Sequence, residues 1–159
     1  MLRVDKLALV WGYIFHIAAF LGVLYAIHEG ERLQSAMAQI YMGSAIAAVF
    51  AGDLITLFVF WELTSLSSYL LIGYFNHEST SRSAAKKALV ITSLGGFFML
   101  LGFLLIHSIT GSFDLTFLLS QPESIQSILR ENGIFLPILF AIIIAGCLLY
   151  TSPSPRDRG

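Results

Sequence analysis

The sequence predicts an all-α, polytopic transmembrane helix bundle of about five spans. Its 159 residues are 57% hydrophobic and only 12% charged, where soluble domains run at about 45–50% and about 25%. Its mean hydropathy is +0.80. Its apolar runs recur at lengths near the roughly 20 residues that a membrane-crossing helix requires. A net charge of −1 offers no electrostatic footprint for nucleic acid. A single cysteine, Cys147, excludes an intrachain disulfide framework. The first apolar run is too long for the core of a cleavable signal peptide, and no small-residue cleavage site follows it.

In chain order, a polar lead with Arg3, Asp5 and Lys6 precedes the first span, 7–27, which contains His16. A charged loop follows (His28, Glu29, Glu31, Arg32). The second span, 36–52, is rich in Ala, Gly and Ser, which let helices approach closely in lipid, and this points to a helix interior to the bundle. Gly52-Asp53 turns the chain into the third span, 54–75. The most polar segment, 76–87, holds His77, Glu78, Arg82, Lys86 and Lys87 and is expected as a loop. The fourth span is 88–109, where Gly95-Gly96 allows a close contact or a bend. Residues 110–133 are amphipathic, are interrupted by Gly111 and Pro122, and suit a surface loop with a short helix. A fifth span begins at 134. Arg32, Arg82, Lys86 and Lys87 fall on one side and Arg3, Lys6 and Arg130 on the other, which puts the loop at 86–87 on the cytoplasmic face.

The third span, LITLFVFWELTSLSSYLLIGYF, organises the rest because Glu62 sits inside it. An ionisable group at mid-membrane costs about 2.5–3.5 kcal/mol on insertion scales, so it is a functional-site hypothesis by default. The alternative is an acid held neutral and hydrogen-bonded to a neighbouring helix. Ser65 at i+3 and Tyr69 at i+7 share the face of Glu62 and could bond its carboxyl or a water, or simply bond locally. His16 and His107 lie in apolar runs, where a relay and plain packing are both open. No zinc spacing, phosphate loop or nucleophile motif is present, and His77 with Glu78 suits a solvated loop pair.

The segment AGDLITLFVFWELTSLSSYLLIGY, followed by SRSAAKKALVITSLGG and ITGSFDL, resembles the antiporter-type membrane subunits of the complex I superfamily. The likeness is greatest to the large subunits of multisubunit Mrp-type cation/proton antiporters. The same fold serves proton-translocating subunits of NADH-quinone oxidoreductase and of membrane hydrogenases. The opening VDKLALVWGYIFHIAAFLGVLYAIHE resembles the start of that family's third helix, so the likeness covers nearly all of 3–146. In this family, inverted repeats each hold a carboxylate on one helix and a lysine on a discontinuous helix two spans later.

The resemblance implies that the five spans are the third to seventh helices. Glu62 then falls on the fifth-helix glutamate, and Lys87 on a sixth-helix position that is lysine in several relatives, although at the start of its helix Lys87 equally suits a topology anchor that reaches to the interface. The seventh-helix lysine would come just after Gly146, so the sequence is expected to be a fragment truncated at both ends. The implied function is translocation of protons and a monovalent cation such as Na+, with Glu62, Lys87, Ser65 and Tyr69 as the proton pathway. The implied setting is a multi-pass subunit in lipid of the cell's inner (plasma) membrane, beside other membrane subunits, with no cofactor or metal of its own. A respiratory or hydrogenase subunit, whose redox chemistry would lie in partner subunits, is the alternative within transport. A non-transporting scaffold is the alternative outside it.

The end of the chain reads differently. CLLYTSPSPRDRG breaks the last apolar run with a Ser/Pro/Arg stretch lacking cap or loop logic. It resembles a translated transposase-type sequencing adapter. The expected division is therefore a partial antiporter-type domain at 1–146 and a non-native tail at 147–159, in which Cys147 has no role.

Overall fold

The structure is a computed structural model, described here for residues 2–26, 32–74, 79–120, 123, 127, 131, 133 and 142–144. It contains helices α1 (Lys6–Ala26), α2 (Arg32–Val49), α3 (Leu54–Ile72), α4 (Ser79–Thr110) and α5 (Leu115–Ser120). Among the described residues the only extended pairings are two isolated bridges, Leu2 with Ala51 and Asp53 with Asp114. The chain is an all-α, multi-pass membrane protein.

Those bridges fix the topology. The Arg3 amide donates to the Phe50 carbonyl at 2.8 Å, which brings the start of α1 to the end of α2. The Leu54 amide donates to the Phe113 carbonyl, and the Leu115 amide to the Gly52 carbonyl, both at 3.0 Å. The start of α3, the end of α4 and the start of α5 therefore meet at the same end. The long helices run alternately up and down, and α1 packs on α2, α2 on α3, and α3 on α4.

Among the described residues, three helices are long and apolar enough to cross a membrane: Lys6–Ala26, Leu54–Ile72, and Arg82–Thr110 within α4. α2 is less apolar, but the topology makes it cross. α1 and α3 both start at the tied end, and only α2 returns the chain between them. Its 18 residues span about 27 Å at 1.5 Å per residue, close to the hydrocarbon thickness. α1 buries only Ala8 and Gly12 and exposes large apolar side chains all round, as suits a helix bathed in lipid.

Several bounds differ from the sequence expectation. α2 starts at Arg32 rather than 36, since nothing in 32–35 breaks a helix, and it ends at Val49, where the pairing with Leu2 and Arg3 takes over. It lies between α1 and α3, yet of its residues only Ser44 is fully buried. α3 stops at Ile72, short of 75, because Gly73 closes it with its amide on the Tyr69 carbonyl at 2.9 Å. The largest correction is the polar segment expected as a loop, which becomes helix from Ser79 onward. It carries no glycine or proline between 79 and 94, so its alanines and lysines propagate α4 beyond the apolar stretch. α4 is unbroken through Gly95-Gly96, so the close contact and not a bend is realised. The short helix expected in 110–133 is α5. Of the fifth span only 142–144 are described, and these are helical. The expected tail, Cys147 included, lies outside the described residues. Arg32, Arg82, Lys86 and Lys87 sit at the end opposite Arg3 and Lys6, as the charge count grouped them; Arg130 lies outside the described residues.

Aspartates start the helices that begin at the tied end. Asp5 Oδ1 accepts from the Ala8 amide at 2.7 Å, and Asp53 Oδ1 from the Thr56 amide at 2.7 Å. Asp114 Oδ1 accepts from the amides of Thr116 and Phe117 at 2.7 and 3.2 Å. Each supplies a partner to helix-end N–H groups that have none within the helix. Burial pushes the Asp53 carboxyl up, but its surroundings outweigh this, including hydrogen bonds from the Thr56 amide and hydroxyl, and hold it at about 2. The amides of Phe117 and Thr116 likewise lower Asp114.

Replacing Asp53 with Ala is expected to cost about 1 kcal/mol, the usual loss for a helix cap, read as a lower unfolding midpoint in detergent. The carboxyl falls from 3.8 in the unfolded chain to about 2 in the fold, so between those values the unfolded chain binds more protons. The contribution of Asp53 is therefore fully present above that window and lost as pH falls through it. D53A should flatten that acid limb, and an unchanged limb would contradict this account.

Candidate functional site

Glu62 lies midway along α3, about 12 Å from its start and about 15 Å from its end at 1.5 Å per residue. Neighbouring Trp61 packs against Leu54, Met99 and Phe103, the buried apolar cluster between α3 and α4. The Glu62 side chain turns toward α4 and lies against Gly96. A Cβ built on Gly96 would collide with Glu62 Oε1 and stand 2.8 Å from its Cδ. The carboxyl thus occupies the space that any other residue at 96 would fill.

Oε1 is out of solvent contact, and among the described residues it is the one buried side-chain polar atom without a hydrogen-bond partner. The serine and threonine hydroxyls that follow it on α3 bond to their own helix. Thr64 and Ser65 donate to the Trp61 carbonyl at 2.6 and 3.3 Å. Ser67 donates to the carbonyls of Leu63 and Thr64 at 2.7 and 3.0 Å, and Ser68 to that of Thr64 at 2.8 Å. This back-bonding answers the hydroxyls locally and leaves Oε1 without a donor.

Of the residues expected to form a proton pathway, the structure brings Ser65 and Tyr69 onto the α3 face of Glu62. Ser65 is buried and bonded to the backbone, and Tyr69 is half-buried. It does not bring Lys87 to the acid. Lys87 is exposed and precedes Gly96 by nine residues, which is about 13 Å along α4 and half a turn away from the face that meets α3. His16 Nδ1 lies 2.7 Å from the Gly12 carbonyl oxygen. The His107 ring stacks on Phe113 with centroids 4.0 Å apart, about 16 Å along α4 from Gly96. Neither histidine is at Glu62.

Sequence reasoning singled out Glu62 and noted the glycine pair, but did not join them. The available signal was a glycine in the adjacent span at mid-membrane depth, opposite the acid. The capping roles of Asp5, Asp53 and Asp114 were also missed, although each stands three residues or fewer before an apolar run, where cap residues belong.

The transmembrane family described as NADH:quinone oxidoreductase/Mrp antiporter matches residues 51–149, which include Glu62 and Gly96. Among curated relatives, a probable K(+)/H(+) antiporter component of Rhizobium meliloti (strain 1021), its A/B subunit, is 34% identical over 159 residues. That match covers 97% of this chain and 15% of the relative. The A-type subunit of an Na(+)/H(+) antiporter of Alkalihalophilus pseudofirmus is 33% identical over 147 residues, covering 89% of this chain and 18% of the relative. The chain thus spans less than a fifth of the length of these relatives.

Because Oε1 has no partner to lose, replacing Glu62 with Gln is expected to change stability by less than about 1 kcal/mol, the net worth of one ordinary hydrogen bond. Unfolding midpoints in detergent check this. A larger loss would mark Glu62 as interhelix glue, the role a scaffold would require.

Proposed function

Given that the chain belongs to the NADH:quinone oxidoreductase/Mrp antiporter transmembrane family, we propose that it is part of a proton- and monovalent-cation-translocating subunit of a multisubunit Mrp-type antiporter, with Glu62 as its protonatable switch. One observation carries the reading: a carboxyl oxygen at mid-membrane, enclosed and unpartnered, beside α3 serine and threonine hydroxyls that bond to their own backbone. Ionisable groups within membrane spans are rare and costly, and they mark ion and proton routes. The relatives' names, which specify K(+)/H(+) and Na(+)/H(+) antiport, support a cation/proton antiporter over a respiratory subunit.

In this mechanism Glu62 alternates between protonated and ionised forms as an opposite charge approaches and withdraws. An opposite charge within about 4–6 Å favours the ionised form, and its departure favours the neutral one. Ser65 and Tyr69 are the nearest hydroxyl-bearing residues on the same face and extend the path along α3. Lys87 stands at the polar head of α4, where it suits the outer end of that path and not direct contact with the acid. Other membrane subunits and other parts of a relative-length chain would supply the partner charge. The setting would be the cell's inner membrane.

The test is cation-dependent proton flux in membrane vesicles carrying the full-length protein in its complex. E62Q should abolish exchange while leaving the amount of assembled protein unchanged, and full activity in that variant would overturn the proposal. K87Q should lower the rate far less than E62Q does. Equal losses would place Lys87 in the switch itself.

A further inference from the structure

At Gly96 the space of the missing side chain is taken by a carboxyl group. Two other glycines at helix contacts are filled by apolar groups. A Cβ on Gly12 would stand 2.6 Å from the Phe50 ring, and one on Gly102 would stand 2.7 Å from Ile143 Cγ1. At Gly96 the same kind of notch holds the end of Glu62, with the carboxyl carbon 2.8 Å from where a Cβ would be. The acid is therefore placed by what α4 lacks, because no hydrogen bond holds Oε1 there.

We infer that Gly96 is a positioning residue for Glu62: the notch it leaves in α4 seats the carboxyl, and any side chain at 96 evicts it. The seat follows from geometry alone, whereas its consequence for transport rests on the role proposed for Glu62 above. An evicted carboxyl must move along the α3–α4 seam, out of register with whatever charge it exchanges protons with. Helix packing would suffer less, because the obstacle to a methyl at 96 is the flexible end of one side chain and not backbone.

The experiment uses the full-length protein in its membrane complex and compares G96A, E62D, the double variant and E62Q. G43A serves as a control, because a Cβ at Gly43 meets nothing within 4 Å. Flux is read beside labelling of Glu62 by dicyclohexylcarbodiimide, quantified on the peptide by mass spectrometry. G96A should lower flux by about 100-fold, the scale of an ångström's misplacement of a reacting group. It should also raise the labelling of Glu62 severalfold, while G43A changes neither.

E62D withdraws the carboxyl by about 1.5 Å, one carbon–carbon bond. In the E62D background, G96A should therefore cost less than about twofold in flux and labelling, because coupled substitutions are non-additive when they share a contact. A clash between residue 96 and the carboxyl is the one cause that E62D relieves. Wild-type flux and labelling in G96A would overturn the inference, as would an undiminished effect of G96A in the E62D background. If G96A does not accumulate, accumulation of the double variant supports the seat, and loss of both overturns it. Wild-type flux in E62Q removes the transport role and leaves the labelling result to judge the seat.

Discussion

A backbone N–H or C=O in hydrocarbon costs several kcal/mol unless something answers it, and the demand is greatest where helices begin and end. This bundle meets it by gathering the ends. The starts of α1, α3 and α5 and the finishes of α2 and α4 converge on one layer. There Gly52, Phe50 and Phe113 offer carbonyls to the amides of Leu115, Arg3 and Leu54. Asp5, Asp53 and Asp114 accept the first free amides of the helices they precede. Up-and-down topology follows from that layer. With the starts of α1 and α3 held together, α2 has to cross, whatever its hydropathy.

Between the ends, the helices approach through notches. Lipid gives apolar side chains little reason to prefer one another over acyl chains, so association relies on close packing and on polar groups that find partners. Gly12 admits Phe50, Gly102 admits Ile143, and Gly96 admits Glu62. The first two are ordinary packing. The third uses the same device for a group that packing alone would never choose. The bundle is otherwise careful with polarity: Ser44 returns its hydroxyl to the Ile40 carbonyl at 2.6 Å, as the α3 hydroxyls do to theirs. An unanswered carboxyl oxygen in such company is a localised destabilisation, and such destabilisation in membranes accompanies function.

The sequence made the spans, the acid and the family legible, because each depends on local composition or on a short motif. Hydropathy placed α1 and α3 within a few residues, since long apolar runs have one favourable fate in lipid. It misplaced the head of α4, because polarity suits a loop as well as a helix that leaves the membrane, and alanine and lysine with no breaker propagate the helix. The charge count grouped Arg32 with Lys86 and Lys87 correctly, since it depends only on alternation of direction. What could not be read was contact between elements. Glu62 and Gly96 stand 34 positions apart in sequence, and nothing in either segment says that they share a depth and face one another. The place of Lys87 was hidden for the same reason: only helical phase shows that it stands half a turn from the α4 face that meets α3.

That phase bears on how the acid could work. An isolated carboxylate in an apolar enclosure is too costly to ionise, so alternation needs a second charge that comes and goes. α4 screens Glu62 on the side of Gly96, and the opposite face of α4, where Lys87 stands, does not reach it. Gly102, six residues on, faces about 120° away and about 9 Å along the helix axis, and there Ile143 is in contact. The helical segment at 142–144 therefore flanks the same helix that seats the acid. On the reading proposed here, a partner charge borne on that flank meets Glu62 past the edge of α4 and not through it. A seat that fixes where the carboxyl waits then also fixes the distance the partner must travel, and this makes a glycine with no chemistry of its own consequential for coupling.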